Sequence, residues 1–200
     1  MALTEAGLCN LALLRVGQRQ FITALTQNSP QAQLCALAYP HARGVVLEAA
    51  WWPFATRRAE LALLSGTTRS GWEYAYALPA DCLTARYIYS GVRNPAPGEG
   101  PPFTTEDDET SGRILLTDEE EPELVYTTDS VVAGRFPSLF CDALVARLAI
   151  ELAFSLPVKP QLALGLEPVY RQALNVALAA QHRQAKADAA PEGESVRARS

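Results

Sequence analysis

Helical patterning at both ends of the chain, and its loss between residues 58 and 135, constrains the fold of this sequence more than any other feature. Thr4 to Val16 reads as an opening helix. Thr4 is a suitable N-cap, Leu8, Leu11 and Ala12 recur on one face, and Gly17 supplies a stop. A second helix starts at Ser29-Pro30, with serine as cap and proline at the first helical position, and runs through Leu34, Leu37 and Ala38. Pro40 lacks a backbone donor and is expected to kink or break it. The pattern resumes at His41 and continues through Val45, Val46 and Ala49 to Trp51-Trp52, with Pro53 as its limit. Towards the other end, Leu139, Ala143, Ala146, Leu148, Ile150 and Ala153 predict a helix from near Pro137 to just before Pro157, apolar on most sides and therefore buried between neighbours. Gln161 to about Ala187 predicts a last helix, with Leu164, Val169 (or Leu166), Leu174 and Leu178 as its stripe and a kink or restart at Pro168.

The middle reads as extended chain. Glu60 to Leu64 suits a strand or a short helical turn, and Gly66 to Gly71 a polar turn. Trp72 to Leu78 alternates with period two, its aromatics on one face, and ends at Pro79. Cys82 to Tyr89 is a second strand. Asn94 to Pro102, with four prolines and two glycines, is loop. Arg113 to Thr117 and Glu123 to Thr128 are expected to form a hairpin around the acidic turn Asp118 to Pro122.

These elements predict a mainly α protein. N- and C-terminal helices form a four-helix-type bundle from which a β-rich region projects as an insertion, an α+β variant of a bundle. The expected segments are 1–57 and 136–188 for the helices, 58–135 for the insertion, and 189–200 for a mobile tail without apolar periodicity.

Composition narrows the function classes. The net charge of −5 argues against a basic nucleic-acid-binding domain, whose affinity comes from Lys and Arg neutralising phosphates. No apolar run is long enough to span a bilayer, and the first residues resemble no secretory signal. Cys9, Cys35, Cys82 and Cys141 lie far apart among apolar residues, without any CxxC or Cys/His cluster. They read as reduced core residues rather than zinc ligands or disulfides, in keeping with synthesis in a reducing cytosol.

No catalytic motif stands out. His41 and His182 are the only histidines, and neither has a nucleophile motif nearby. No GxSxG, GxxxxGK[ST] or GxGxxG occurs. The run Glu106-Asp107-Asp108-Glu109 lacks the alternating ligands and glycine turn of a metal loop and reads as solvated loop, as does Asp118 to Glu121. Residues 99–123 hold ten of the chain's 22 acids and one base, Arg113, so the negative charge is concentrated there. No catalytic, cofactor or metal residue is assigned. A glycan hydrolase using these acids is the reading from another class. It needs two carboxylates about 5–9 Å apart in a cleft and is separated from the others by a sugar-release assay.

The aromatics Trp51, Trp52, Phe54, Trp72, Tyr74 and Tyr76 are the most informative cluster. They are expected to form the core where the second helix meets the sheet. The competing reading is an interaction surface, since tryptophan and tyrosine are enriched in interface hot spots.

Three strings carry a resemblance. Glu48-Ala49-Ala50-Trp51-Trp52-Pro53-Phe54-Ala55-Thr56-Arg57-Arg58-Ala59 resembles a W-x-F-A-x-x-R signature. Trp72-Glu73-Tyr74-Ala75-Tyr76-Ala77-Leu78-Pro79-Ala80-Asp81-Cys82-Leu83 resembles a W-x-Y-A-Y-x-L-P-x-D-C-L/R segment. Ala6 to Gly17 resembles a first helix of pattern N-x-A-L-x-x-I/L-G. Together they are similar to the tail tubular protein A family, the head-to-tail adaptors of short-tailed bacteriophages. The resemblance covers residues 3–90 well and the C-terminal helices in pattern only. Pro40 and the proline-rich stretch 93–102 depart from it.

The resemblance implies a structural virion protein made in the host cytoplasm and placed at the head-tail junction. It implies a ring, usually of twelve subunits, beneath the portal protein, continuing the DNA channel and presenting a surface to the tail nozzle protein. It implies no catalysis, cofactor or membrane contact, and passage of the genome without sequence-specific binding. The C-terminal segment, with Pro191, Glu192, Val196, Arg197 and Arg199, would reach the portal, and the β insertion would face the tail. A neck or stopper protein lower in the same particle is the nearest alternative, separated by ring stoichiometry with purified portal.

Overall fold

The computed structural model describes residues 3–66, 69–91, 100–156 and 160–188. The chain divides into two compact units, one of residues 1–46 with 133–200 and the other of residues 47–132.

The first unit is helical. Helix α1 (Glu5–Arg15) starts where Thr4 Oγ1 accepts from the Gly7 amide at 3.1 Å. It ends at Gly17, whose φ of +79° lets the chain turn while the Gly17 and Gln18 amides donate to the Leu14 and Leu13 carbonyls. Ser29 Oγ accepts from the Ala32 amide at the start of α2 (Pro30–Glu48). That helix runs through Pro40, where a kink or break was expected. The buried residues Ala32, Cys35, Tyr39, Ala42 and Val46 make one stripe at spacings of three and four across the proline. Packing on both sides of the missing hydrogen bond outweighs its loss.

Helix α3 (Ser138–Ser155) is buried on most sides and packs against α1 and α4 (Pro160–Asp188). Pro168 lies inside α4, which is continuous as a helix. Of its expected stripe, Leu166 is buried, but Leu164 and Val169 are exposed.

The second unit is a β structure with its own core. Its strands are β1 (Thr56–Glu60), β2 (Ala62–Leu63), β3 (Tyr74–Ala77), β4 (Cys82–Ile88), β5 (Phe103–Asp108), β6 (Gly112–Thr117) and β7 (Glu123–Thr128). They form two antiparallel sheets, β1-β7-β4 and β2-β3-β6-β5. The chain passes from one to the other at Leu61, whose amide donates to the Pro122 carbonyl. Tyr76 and Leu115 from one sheet pack with Cys82, Ile88, Leu124 and Tyr126 from the other. On the opposite face of β3 and β6, Ala75, Ile114 and Leu116 are covered by Leu64 and Trp72.

Four expectations are corrected. The protein is not a mainly α four-helix bundle with an insertion. It is α+β, because the middle of the chain closes two sheets around a core of its own. Strands β6 and β7 do not form a hairpin, since they belong to different sheets. Asp118 Oδ1 accepts from the Glu73 amide and Glu121 sits at φ +54°, which turns the connection away from a simple reversal. The hairpin is β5–β6, so Glu106, Asp107 and Asp108 end a strand rather than lie in a solvated loop. An edge strand paired on one side leaves such charges in water. Asp108 then caps the turn, its Oδ2 accepting from the Thr110 and Ser111 amides at 3.1 and 2.9 Å. Trp72 also precedes β3, in a bridge with Arg69, and leaves the face shared by Tyr74 and Tyr76.

Candidate functional site

The polar centre of the β unit is Asp81, in the turn between β3 and β4. Leu78-Pro79 ends β3, and the Cys82 amide donates back to the Pro79 carbonyl at 2.9 Å, which turns Asp81 towards β1 and β7. Its carboxylate accepts from Arg57 Nη1 at 2.6 Å, from Thr128 Oγ1 at 2.7 Å and from Tyr126 Oη at 3.1 Å. Arg57 Nη2 also donates to the Ser130 carbonyl, and the Asp129 amide to the Asp81 carbonyl. One side chain thereby ties β1, the β3–β4 turn and the end of β7. The Thr128 hydroxyl, then the Tyr126 hydroxyl and the Arg57 charge, hold the Asp81 carboxyl below its usual range against the cost of burial. Burial, together with the bond to Asp81, pushes the Tyr126 phenol up.

The aromatic junction packs on the other side of the β1-β7-β4 sheet. Trp52 is 3% exposed, whereas Trp51 is half-buried. Trp51 meets Tyr87 edge-on at 5.5 Å, and its Nε1 donates to Thr56 Oγ1 at 2.7 Å; that hydroxyl donates to the Trp52 carbonyl at 2.8 Å. Phe54 lies 6.0 Å from Trp52, and Tyr74 lies 6.2 Å from Tyr76. Arg86 Nη2 donates to the Ala50 carbonyl and its Nε to Thr127 Oγ1, tying residue 50 to β4 and β7. Burial lowers the Arg86 pKa from its ordinary value. Arg58 stacks over the Tyr89 ring at 4.3 Å. Trp51, Trp52 and Phe54 are thus one group, Tyr74 and Tyr76 a second in the inter-sheet core, and Trp72 a third.

The sequence reading missed Asp81, Arg57 and Arg86. The first two lie within the two adaptor-like strings, which was the only local signal for them.

The remaining candidates are dispersed. His41 on α2 lies 3.7 Å from Glu151 on α3, and Arg147 also pairs with Glu151. His182 falls within α4, but its side chain lies outside the described residues. Glu106 and Asp108 both pair with Arg69, at 3.6 and 2.5 Å. The Ser111 amide, ahead of the Arg69 bond, holds the Asp108 carboxyl below its usual range. Among the described residues no three His, Cys, Asp or Glu side chains come together as metal ligands, and no helix is long and apolar enough to cross a membrane. Cys9, Cys35, Cys82 and Cys141 are buried free thiols. Pro191, Glu192, Val196, Arg197 and Arg199 lie outside the described residues. No protein-family model matches the sequence, and no curated protein is significantly similar to it.

Proposed function

We propose that this chain is a structural virion protein, a head-to-tail adaptor that assembles as a ring, twelve subunits in the family pattern, beneath a phage portal. The ring continues the DNA channel and gives the tail nozzle its attachment surface. The observation that carries this reading is the meeting of two adaptor-like strings in one site. Glu48–Ala59 supplies Arg57, Trp72–Leu83 supplies Asp81, and the two pair at 2.6 Å. The meeting of the two strings in space supports reading them together as one pattern. The charge agrees with the role. A chain of net charge −5 lets DNA slide, where a basic lining would hold it.

The test is cryo-electron microscopy of the protein mixed with its cognate portal. The adaptor reading expects symmetric ring density beneath the portal. It also expects a chain ending at Asp188 to fold normally but fail to attach. Portal particles without added density, or wild-type attachment by the shortened chain, overturn the ring and the tail assignment respectively.

A further inference from the structure

Helices α1 and α2 meet along faces that carry polar groups among the apolar ones. On α2, Cys35, Tyr39 and Arg43 follow one another at spacings of four and so stand on one side of the helix. On α1, Glu5 and Cys9 do the same. The faces touch at two thiols, each 0% exposed. The hydrogen bond with Cys35, ahead of burial, pushes the Cys9 thiol up. One turn further on, Glu5 lies close enough to Tyr39 for its charge to act on the phenol.

Tyr39 is 2% exposed and belongs to the buried stripe of α2. Among the described residues its hydroxyl has no hydrogen-bond partner, and neither has the buried Nε of Arg43. The Arg43 guanidinium carbon lies 6.0 Å from the centre of the Tyr39 ring, so the two donors belong to one place. A buried polar group left unpaired is costly, and native proteins pair nearly all of theirs, with protein or with water. Two such groups side by side therefore mark a site rather than a flaw in packing.

The groups around the site define what it takes. Burial, then the Glu5 charge, pushes the Tyr39 phenol up, so the hydroxyl keeps its proton and donates. Arg43 Nε can only donate, and the Glu5 carboxylate supplies an acceptor. An anion in this place meets Glu5, and a cation meets Arg43, so a neutral molecule suits it. Two donors and one acceptor are the complement of a single water, which makes about three hydrogen bonds when buried. Glu5 is exposed, which leaves a way in from its side.

We infer that a structural water sits between α1 and α2, accepting from Tyr39 Oη and Arg43 Nε and donating to the Glu5 carboxylate. It fastens the first turn of α1 to the middle of α2. The inference concerns the helical unit alone and does not rest on the adaptor reading.

The test uses the full chain as wild type, Tyr39→Phe and Arg43→Met. The first variant keeps the ring and removes the hydroxyl; the second keeps the aliphatic stem and removes the donor. Removing a hydroxyl that has no partner leaves stability unchanged or raises it. Removing one that holds a water should lower the folding equilibrium constant about fivefold, read by urea unfolding with helix circular dichroism. Oxygen-17 relaxation dispersion of the solvent counts internal waters held longer than the molecule tumbles, and each variant should hold one fewer than wild type. If Tyr39→Phe does not fold, the water count of Arg43→Met decides. An unchanged or higher folding constant for Tyr39→Phe, or a water count that stays the same in either variant, overturns the proposal. A lowered constant with an unchanged count means that Tyr39 bonds Glu5 directly, which overturns it as well.

Discussion

Replacing Asp81 by alanine removes one carboxylate and leaves three donors without it. The Thr128 and Tyr126 hydroxyls lose a charged acceptor, and Arg57 loses its ion-pair partner. A hydrogen bond to a charged group contributes about 1.5–3 kcal/mol. The Asp81 side chain is 24% exposed, so the lower end of that range applies to each hydroxyl. The Arg57 side chain is 46% exposed, and solvent screening holds its pairing to roughly 0.5 kcal/mol. Asp81→Ala should therefore cost about 3–4 kcal/mol, a large share of the roughly 5–15 kcal/mol available to a domain. Asp81→Asn, which keeps one oxygen acceptor and the shape, should cost about half as much. The assay is urea unfolding followed by tryptophan fluorescence. All three tryptophans lie within residues 47–132, so the signal reports the unit that Asp81 ties together. Helix circular dichroism follows the other unit in the same samples. A double cycle with Arg57→Ala should return a coupling of about 0.5–1 kcal/mol. The pH dependence has a definite sign. The folded carboxyl titrates below its unfolded value of about 3.9, so its stabilisation is complete above that value and is lost as pH falls through the folded one. The difference between wild type and Asp81→Asn should be full at neutral pH and shrink on acidification. An unchanged urea midpoint for Asp81→Ala, or a difference that grows in acid, refutes the reasoning.

Two further outcomes follow from burial. Trp52→Ala should lower the stability of the β unit by about 3–5 kcal/mol, the cost of emptying a large buried site. Trp51→Ala should lower it by about 2 kcal/mol, through the lost Tyr87 contact and the lost hydrogen bond from its Nε1 to Thr56 Oγ1. Equal effects of the two, read by thermal unfolding, contradict the division of roles. A thiol reagent added to native protein should react with none of the four cysteines, and all four should titrate once the chain is denatured, since each is buried and free. Rapid labelling of any of them under native conditions contradicts that burial.

The parts of the fold that sequence reasoning reached are those fixed by near neighbours. Thr4 capping Gly7, Gly17 at positive φ and Ser29-Pro30 opening α2 are all decided within four residues of themselves. Strand existence was legible for the same reason, from the period-two run of β3, the extended-chain preference of β4 and the two runs, β6 and β7, on either side of the acidic turn. Partner choice was not. Strands β6 and β7 are adjacent in sequence, yet each pairs elsewhere. The true neighbour of β6 was hidden because Glu106-Asp107-Asp108 looks like loop unless the sheet edge that solvates it is known. Pro40 does not break the helix, because a buried stripe continues past it.

The Asp81 site shows the same boundary at the scale of a single residue. Its side-chain partners lie 24, 45 and 47 positions away, so no window of periodicity could have joined them. The aromatic junction adds a finer lesson. Trp51 and Trp52 read as one pair destined for one core. The chain there has already left the helix, and Trp52 adopts an extended conformation with φ −94° and ψ 119°. Successive side chains in extended backbone point to opposite sides. Trp52 accordingly turns inward, while Trp51 lies across Tyr87 and spends its indole N–H on Thr56. The residue that ends a helix thus decides which of two identical side chains becomes core, and composition and spacing are silent on that choice until the helix end is located.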